Sequence, residues 1–248
     1  MIDISVTQIR REIITDSKVR IGINASNFLL VSNIDEQGIP HGIAPDLGRL
    51  FAKKLNAIPE FHVFENPGKL ADAGLTESWD IAFLGNEPQR AKDIAFSAPY
   101  LEIPVTCLVP KGSDIRTLEE VDKPGTRISV MNRSAYDLFL TNTLKNATLV
   151  RAKSIDESFS KFKSEKLEVL AGLKPRLVSD SKNMTGSIIL EGQMTSVKQS
   201  AGTLPKNSAT AVFLHHFIEE AKRKGMVQDL INKYSIKGVV VSPLKKET

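Results

Sequence analysis

Read for hydrophobic and polar positions, the chain alternates short apolar runs with stretches of helical spacing. Residues 4–16 predict a short amphipathic helix packed on the outside. Residues 19–24 (VRIGIN) alternate and are β-branched, which predicts a first strand. Ala25-Ser26-Asn27 follows as a small polar loop, and residues 28–31 resume an apolar run from Phe28. Asp35-Glu36-Gln37-Gly38 predicts a hairpin turn. Apolar residues at 47, 50, 51 and 55 predict a helix over residues 47–55, with Asp46 as its N-cap. Residues 60–64 read as a second strand and 68–75 as a second helix. Residues 81–85 read as a third, buried strand, too short for a helix.

That order, strand, helix, strand, helix, strand, predicts a parallel α/β sheet built by crossovers. Ligands of such sheets sit at the carboxyl ends of strands, so the loops after Asn24, Phe64 and Leu84 are expected to converge. Residues 103–110 form an extended run and 114–122 a helical turn. A second series then repeats the architecture: strand 126–131, helix 135–145, strand 148–151, helix 155–164 and strand 167–171. Residues 187–190 and 194–197 read as the last strands. The tail, 209–224 and 226–234, reads as helical with a break at Gly225, and its apolar face needs the first lobe as partner. The expected organisation is two discontinuous lobes, 1–104 with 199–248 and 105–198, joined by two extended strands.

The most informative stretch runs from Trp79 to Tyr100. After the third strand, Gly85-Asn86-Glu87 breaks the apolar run, and Pro88 suits the first turn of a helix. Arg90, at the far end of that turn, points back towards the strand end. Strand, glycine, helix N-terminus and arginine together predict an anion cradle, because unpaired N–H groups and the helix dipole favour negative charge. In the second series, Ser134-Ala135-Tyr136-Asp137 reads as a capping box.

Composition narrows the classes. Of 248 residues, 41% are hydrophobic and 25% charged, as in ordinary globular proteins. The net charge is +4, with basic residues interleaved among acids, so no nucleic-acid stripe exists and no nucleic-acid partner is expected. Cys107, the one cysteine, excludes an internal disulfide and reads as a small buried hydrophobe. His41, His62, His215 and His216 lack metal spacing, and the adjacent pair points to opposite sides of a helix. Structural roles are expected for all four, and no metal or cofactor. No GxSxG, HExxH, P-loop or GxGxxG motif occurs. No stretch approaches the roughly 18 apolar residues of a membrane span. The N-terminus, charged throughout, has no signal-peptide pattern. The chain is then either a leaderless cytoplasmic protein or an exported one whose leader was removed.

From VRIGINASNF through GIAPDLGRLFAKKL to the terminal helices, the pattern resembles the bacterial extracellular solute-binding proteins of family 3. The stretch from Trp79 to Tyr100, read as a strand ending in Asp80, then a loop, EPQR and FSAPY, carries the resemblance most specifically. It implies an α/β, two-lobed type II periplasmic-binding-protein fold, each lobe a mainly parallel sheet flanked by helices, joined by two hinge strands. It also implies a monomer that closes its lobes over a small carboxylate-bearing ligand, a periplasmic location, and delivery to the membrane subunit of an amino-acid ABC transporter.

The ligand site so implied comprises Ser26, Asn27, Phe28, Phe83, Gly85, Asn86, Glu87, Arg90, Arg133, Ser134, Ala135 and Leu173. Arg90 stands where the family pairs an arginine with a ligand carboxylate. Gly85 and Glu87 stand near positions usually held by Thr or Ser, and Arg133-Ser134 replaces the usual Gly-Thr. Leu173 stands where an aspartate usually meets the ligand's ammonium. Either Glu87 supplies that counter-charge or the ligand has no free amine.

Each residue also has a plainer reading. Arg90 could be a surface residue of a solvated helix, and Glu87 a complement to the helix dipole. Phe28 and Phe83 are core residues or an apolar wall. Arg133, unfavourable at a helix start, contacts an anion or is incidental. Lys174 and Arg176, flanking Pro175, read as solvated surface. Two other function classes share the fold: a cyclohexadienyl dehydratase-like enzyme with Glu87 or Glu102 as general acid, and a ligand-sensing module.

Overall fold

In the computed structural model the described residues are 6–245. Residues 4 and 5 of the first expected helix lie outside them. The chain separates into two compact units. Unit 1 takes the described residues up to Leu101, Lys198–Ile236 and the tail from Val240; unit 2 takes Glu102–Val197 and Lys237–Val239.

Unit 1 contains α1 (Val6–Ile13), β1 (Lys18–Asn24), a small hairpin of β2 (Asn33–Ile34) and β3 (Pro40–His41), α2 (Ile43–Lys54), β4 (Ile58–Phe64), α3 (Pro67–Leu75) and β5 (Ile81–Gly85). A long strand, β6 (Ala95–Val109), then leaves for unit 2. β1 lies between β4 and β5 and is parallel to both, with Asn24 opposite Phe64 and Ile23 opposite Phe83. The crossover order expected from the sequence is therefore realised. The Asp35–Gly38 turn is realised too: the Asp35 carboxylate accepts from the backbone N–H groups of Gln37 and Ile39.

Two helix starts differ from expectation. α2 begins four residues early, after Gly42, whose φ of 142° no β-carbon would tolerate: a Cβ there would lie 2.3 Å from the Leu30 carbonyl oxygen. Pro45 falls in the first turn, where proline is tolerated, so the buried stripe of Ile43, Ala44, Leu47 and Phe51 continues through it. Asp46 is thus no N-cap. Its carboxylate accepts from Arg49 Nη1 (2.8 Å), Lys233 Nζ (2.7 Å) and the Tyr234 hydroxyl (2.8 Å). Burial raises its pKa but these partners outweigh it and hold the group below its ordinary value.

The second difference follows Pro88. Instead of an α-helix, the chain makes turns and a single 3-10 turn, Arg90–Lys92.

One side of the unit 1 sheet packs Leu70, Trp79, Ala82, Leu84 and Ile94 together, with the Trp79 indole N–H donating to the Leu70 carbonyl (2.9 Å). Gly22 permits this approach, since a Cβ there would meet Leu70 at 2.6 Å. Elsewhere in the unit, Phe51 meets the edges of Phe213 and Phe217 at centroid distances of 5.8 and 5.5 Å.

Unit 2 continues β6 and adds β7 (Arg127–Met131), α4 (Ala135–Thr143), β8 (Thr148–Ala152), α5 (Ile155–Ser164), β9 (Val169–Leu173), α6 (Lys174–Lys182) and β10 (Ile188–Ile189). Its strand order is β6–β9–β7–β8, with β7 parallel to β8 and β9 and β9 antiparallel to β6. The expected helical turn over 114–122 is a loop of separate turns, tied by the Glu120 carboxylate accepting from the Arg116 N–H (2.7 Å). β9 runs to Leu173, beyond the expected end at 171. α6 was not expected at all: its Lys174-Pro175 start looks like a break but is a helix start, because proline suits the first turn. Arg176 is accordingly not a solvated residue. It pairs with Asp156 (2.7 Å) and Asp180 (2.8 Å), its side chain 22% exposed.

The chain returns through β11 (Thr195–Thr203), whose residues 199–203 pair antiparallel with β5 in unit 1. There follow α7 (Ser208–Arg223), α8 (Met226–Lys233) and β12 (Val240–Val241). Gly225, with φ +73°, makes the break between the two helices. α7 packs on α1, with the Glu12 carboxylate accepting from Thr210.

Candidate functional site

Three parallel strands in register end at one edge of unit 1: β1 at Asn24, β4 at Phe64 and β5 at Gly85. The loops that leave them begin side by side, and the Ala25 N–H already donates to the Phe64 carbonyl (2.9 Å). In the loop after β1, the Asn24 side-chain oxygen accepts from the Ser26 hydroxyl (2.8 Å) and backbone N–H (3.2 Å). Asn27 is buried, its side-chain oxygen accepting from the Leu29 N–H (3.3 Å) and its backbone carbonyl from Leu30 and Val31. Both polar side chains therefore shape the loop. Phe28 is 40% exposed, so the core reading does not hold for it. Phe83 is the reverse. Its ring is buried and meets Tyr100 edge-on at 6.0 Å, a core position.

After β5, backbone hydrogen bonds pin the loop on both sides. The Asn86 N–H donates to the Lys198 carbonyl (2.8 Å), and the Ala91 N–H to the Glu87 carbonyl (2.9 Å). Arg90 is 7% exposed, and its Nη1 donates to the carbonyl of Gly85, the last residue of β5 (2.9 Å). This corrects the plain reading of Arg90 as surface. It also corrects the cradle: a single 3-10 turn has no long helix dipole, so positive charge at this edge comes from the guanidinium itself. For the same reason Glu87 is not a complement to a dipole. Burial pushes its carboxyl up to about 7, against the lowering influence of Arg90 and Lys198.

Unit 2 has a comparable edge after β7. Arg133 is exposed and adopts φ +57°. Ser134 caps α4, its hydroxyl accepting from the Asp137 N–H (3.1 Å). The acid does reach back, but to the N–H of Arg133 (2.7 Å) rather than of Ser134. Asp137 is buried, and its other oxygen accepts from Arg151 Nε (2.9 Å). Ala135 and Tyr136 are buried beside it, and burial lifts the Tyr136 hydroxyl to about 12. Leu173 ends β9 and is buried opposite Val105, lining with Tyr136, Arg176 and Asp180 a space of about one water molecule. Its apolar side chain offers no partner for an ammonium.

The other residues that the sequence singled out make the following contacts. Cys107 is buried with its Sγ 3.2 Å from Met194 Sδ, and burial pushes the thiol up to about 12. The His215 Nδ1 accepts from the Ala98 N–H (3.2 Å), while His41 and His62 meet Asp35 and Glu60. Among the described residues no group of His, Cys, Asp and Glu is arranged to hold a metal ion. Glu102 accepts from the Ser196 hydroxyl (3.1 Å). Lys198 was not anticipated beside the loop after β5. No local signal marks it, because only the antiparallel return of β11 brings it there.

The family described as bacterial extracellular solute-binding proteins, family 3, matches residues 19–237. Among solved structures, a variant of the arginine-binding protein ArgBP from T. maritima is 20% identical, covers 93% of this chain and 98% of its own, and superposes with a TM-score of 0.73. An ancestral amino acid-binding protein, a precursor of cyclohexadienyl dehydratase, gives 20% identity, 92% and 98% coverage, and a TM-score of 0.74. A putative binding component of an ABC transporter from Wolinella succinogenes, complexed with lysine, gives 19%, 88%, 96% and 0.74. These likenesses establish the two-lobed periplasmic-binding fold. No curated protein matches the sequence.

Proposed function

This chain belongs to the bacterial extracellular solute-binding proteins, family 3, and we propose that it binds a small carboxylate-bearing solute, an amino acid or related organic acid, for uptake by an ABC transporter. The observation that carries this reading is Arg90: a buried guanidinium anchored on the last carbonyl of β5, at the edge where three parallel strands end. Open α/β sheets place ligands at that edge, and a guanidinium offers a carboxylate two parallel N–H donors. The binding component from Wolinella succinogenes supports the transporter assignment. Family membership supports action outside the cytoplasm, and no helix among the described residues is long and apolar enough to cross a membrane.

The test is calorimetry with the standard amino acids and a panel of mono- and dicarboxylates. Binding at micromolar affinity or tighter is expected for a member of the panel, with a loss of about 100-fold in Arg90→Ala. No binding across the panel would overturn the assignment.

A second reading, a dehydratase-like enzyme, is favoured by one observation: a carboxyl titrating at about 7 is matched to general-acid work near neutral pH. Turnover of prephenate that disappears in Glu87→Gln would establish it, and absence of turnover would leave binding alone.

A further inference from the structure

We propose that one face of α7 is an acid-sensitive clasp, in which His215 fastens the start of β6 near neutral pH and lets it go on taking up a proton. Every group involved belongs to unit 1, and none takes part in the ligand site proposed above. His215, Glu219 and Lys222 recur at i, i+4 and i+7 along α7, a spacing that puts them on one side of the helix. Each bonds to backbone far away in the chain. The Ala98 N–H of β6 donates to His215 Nδ1 (3.2 Å), and the Lys245 N–H of the tail donates to Glu219 Oε2 (3.2 Å). Lys222 Nζ donates to the Pro243 carbonyl (2.9 Å) and pairs with Glu219 Oε1 (2.6 Å). His215 and Glu219, with Phe96–Pro99 and Pro243–Lys245, line a cleft of about 440 Å3.

The three attachments differ in how they respond to acid. Lys222 is a cation throughout. Burial raises the Glu219 carboxyl, but Lys222, the Lys245 N–H and His215 outweigh it and hold the group below its ordinary value, so it stays ionised. His215 alone changes its role near neutrality. An imidazole nitrogen accepts a hydrogen bond only while it carries no proton, so the bond from Ala98 requires the neutral ring with its hydrogen on Nε2. Residues 96–99 of β6 bring no charge to the ring. The charged groups acting on it are Lys245 from the tail and Glu219, His216 and Lys222 from α7 itself. Burial and the cations outweigh Glu219, so the folded protein favours the neutral ring and the bond persists below the ordinary value of 6.5.

Once the ring is protonated, two donors face each other and the half-buried Ala98 N–H loses its partner. The new imidazolium stands four residues before Glu219 on the same face, where it competes with the tail N–H for the carboxylate. One proton therefore opens the β6 side of the cleft and weakens the tail side, while Lys222 keeps Pro243 in place. The contribution of the bond to stability is complete above about pH 6.5 and is lost as pH falls through the folded value of His215.

The experiment is ring-nitrogen NMR of the intact, ligand-free chain from about pH 8 to about pH 5, with backbone amide exchange followed over the same range. The expected result is His215 in its Nε2–H form at the upper end, titrating below 6.5. Protection of the Ala98 amide falls about tenfold with the same midpoint, and that of Lys245 follows by a smaller factor. In His215→Asn, whose side-chain oxygen can take the place of Nδ1, protection of Ala98 persists and no longer depends on pH. In His215→Leu it is low throughout. A His215 ring protonated on Nδ1 at the upper end, or Ala98 protection that does not follow the titration, would overturn the clasp. So would an equal acid-induced loss in His215→Asn, which would mark a general loosening of unit 1.

Discussion

After β5 in unit 1 and after β7 in unit 2, the chain leaves a parallel strand through a polar turn that carries an arginine and an acid. The two turns use these residues in opposite ways. In unit 2 the acid is buried and bonded on both oxygens: Asp137 accepts from the Arg133 N–H and from Arg151, while Ser134 caps the adjoining helix. The arginine, Arg133, is exposed on a left-handed backbone. In unit 1 the arginine is buried and bonded to the strand end, and the acid, Glu87, is half-buried with a raised pKa. The cause lies in the element that each turn leads into. A full helix after β7 has N–H groups that an acid can satisfy, whereas the single 3-10 turn after β5 gives Glu87 no such partners. One edge engages its acid in structural hydrogen bonds; at the other, burial raises the acid's pKa.

The contrast can be broken most forcefully at Asp137. Asp137→Ala removes a buried carboxylate and leaves Arg151 and the Arg133 N–H without it, an expected loss of about 2–3 kcal/mol in chemical denaturation. Glu87→Ala, by contrast, should leave stability at pH 5 nearly unchanged. Next in size is Ser134→Ala, expected to cost about 1 kcal/mol by loss of the N-cap, with Ser134→Asp restoring it.

Glu87 itself sharpens the comparison through pH. Its folded value lies above its ordinary value of 4.5, so the folded state holds the proton more tightly than the unfolded chain. Stability is therefore lost as pH rises from about 4.5 through about 7. Glu87→Gln should be the more stable protein at pH 8, by about 1 kcal/mol after allowance for partial exposure, and equal to the parent at pH 4. Thermal melts at the two values check this.

Much of the fold was legible because its signals are local. The alternation of VRIGIN, the five residues 81–85 and the helix 155–164 declare themselves through side-chain periodicity, and each appears where it was expected. Three of the failures were at prolines. Pro45 and Pro175 lie inside first helical turns that a reading of breaks rejects, and Pro88 opens no helix at all. Proline is compatible with a helix start without requiring one, and only the surrounding contacts decide. At the candidate site, the residue types were visible but not their surroundings. Phe28 and Phe83 look alike in the sequence, yet one is exposed in a loop and the other sealed against Tyr100.

The sequence by itself determined the family, the crossover order of strands and helices, and the presence of an arginine and an acid beyond the third parallel strand. Those properties depend on neighbours a few positions away, where periodicity and turn chemistry act. The tertiary structure decided which of those groups holds its proton more tightly than usual and which is already bonded. That depends on Gly85 turning its carbonyl to Arg90 and on β11 returning Lys198 to the loop from more than a hundred residues away in the chain. Desolvation and charge act through space, so no local pattern could have fixed the state of Glu87.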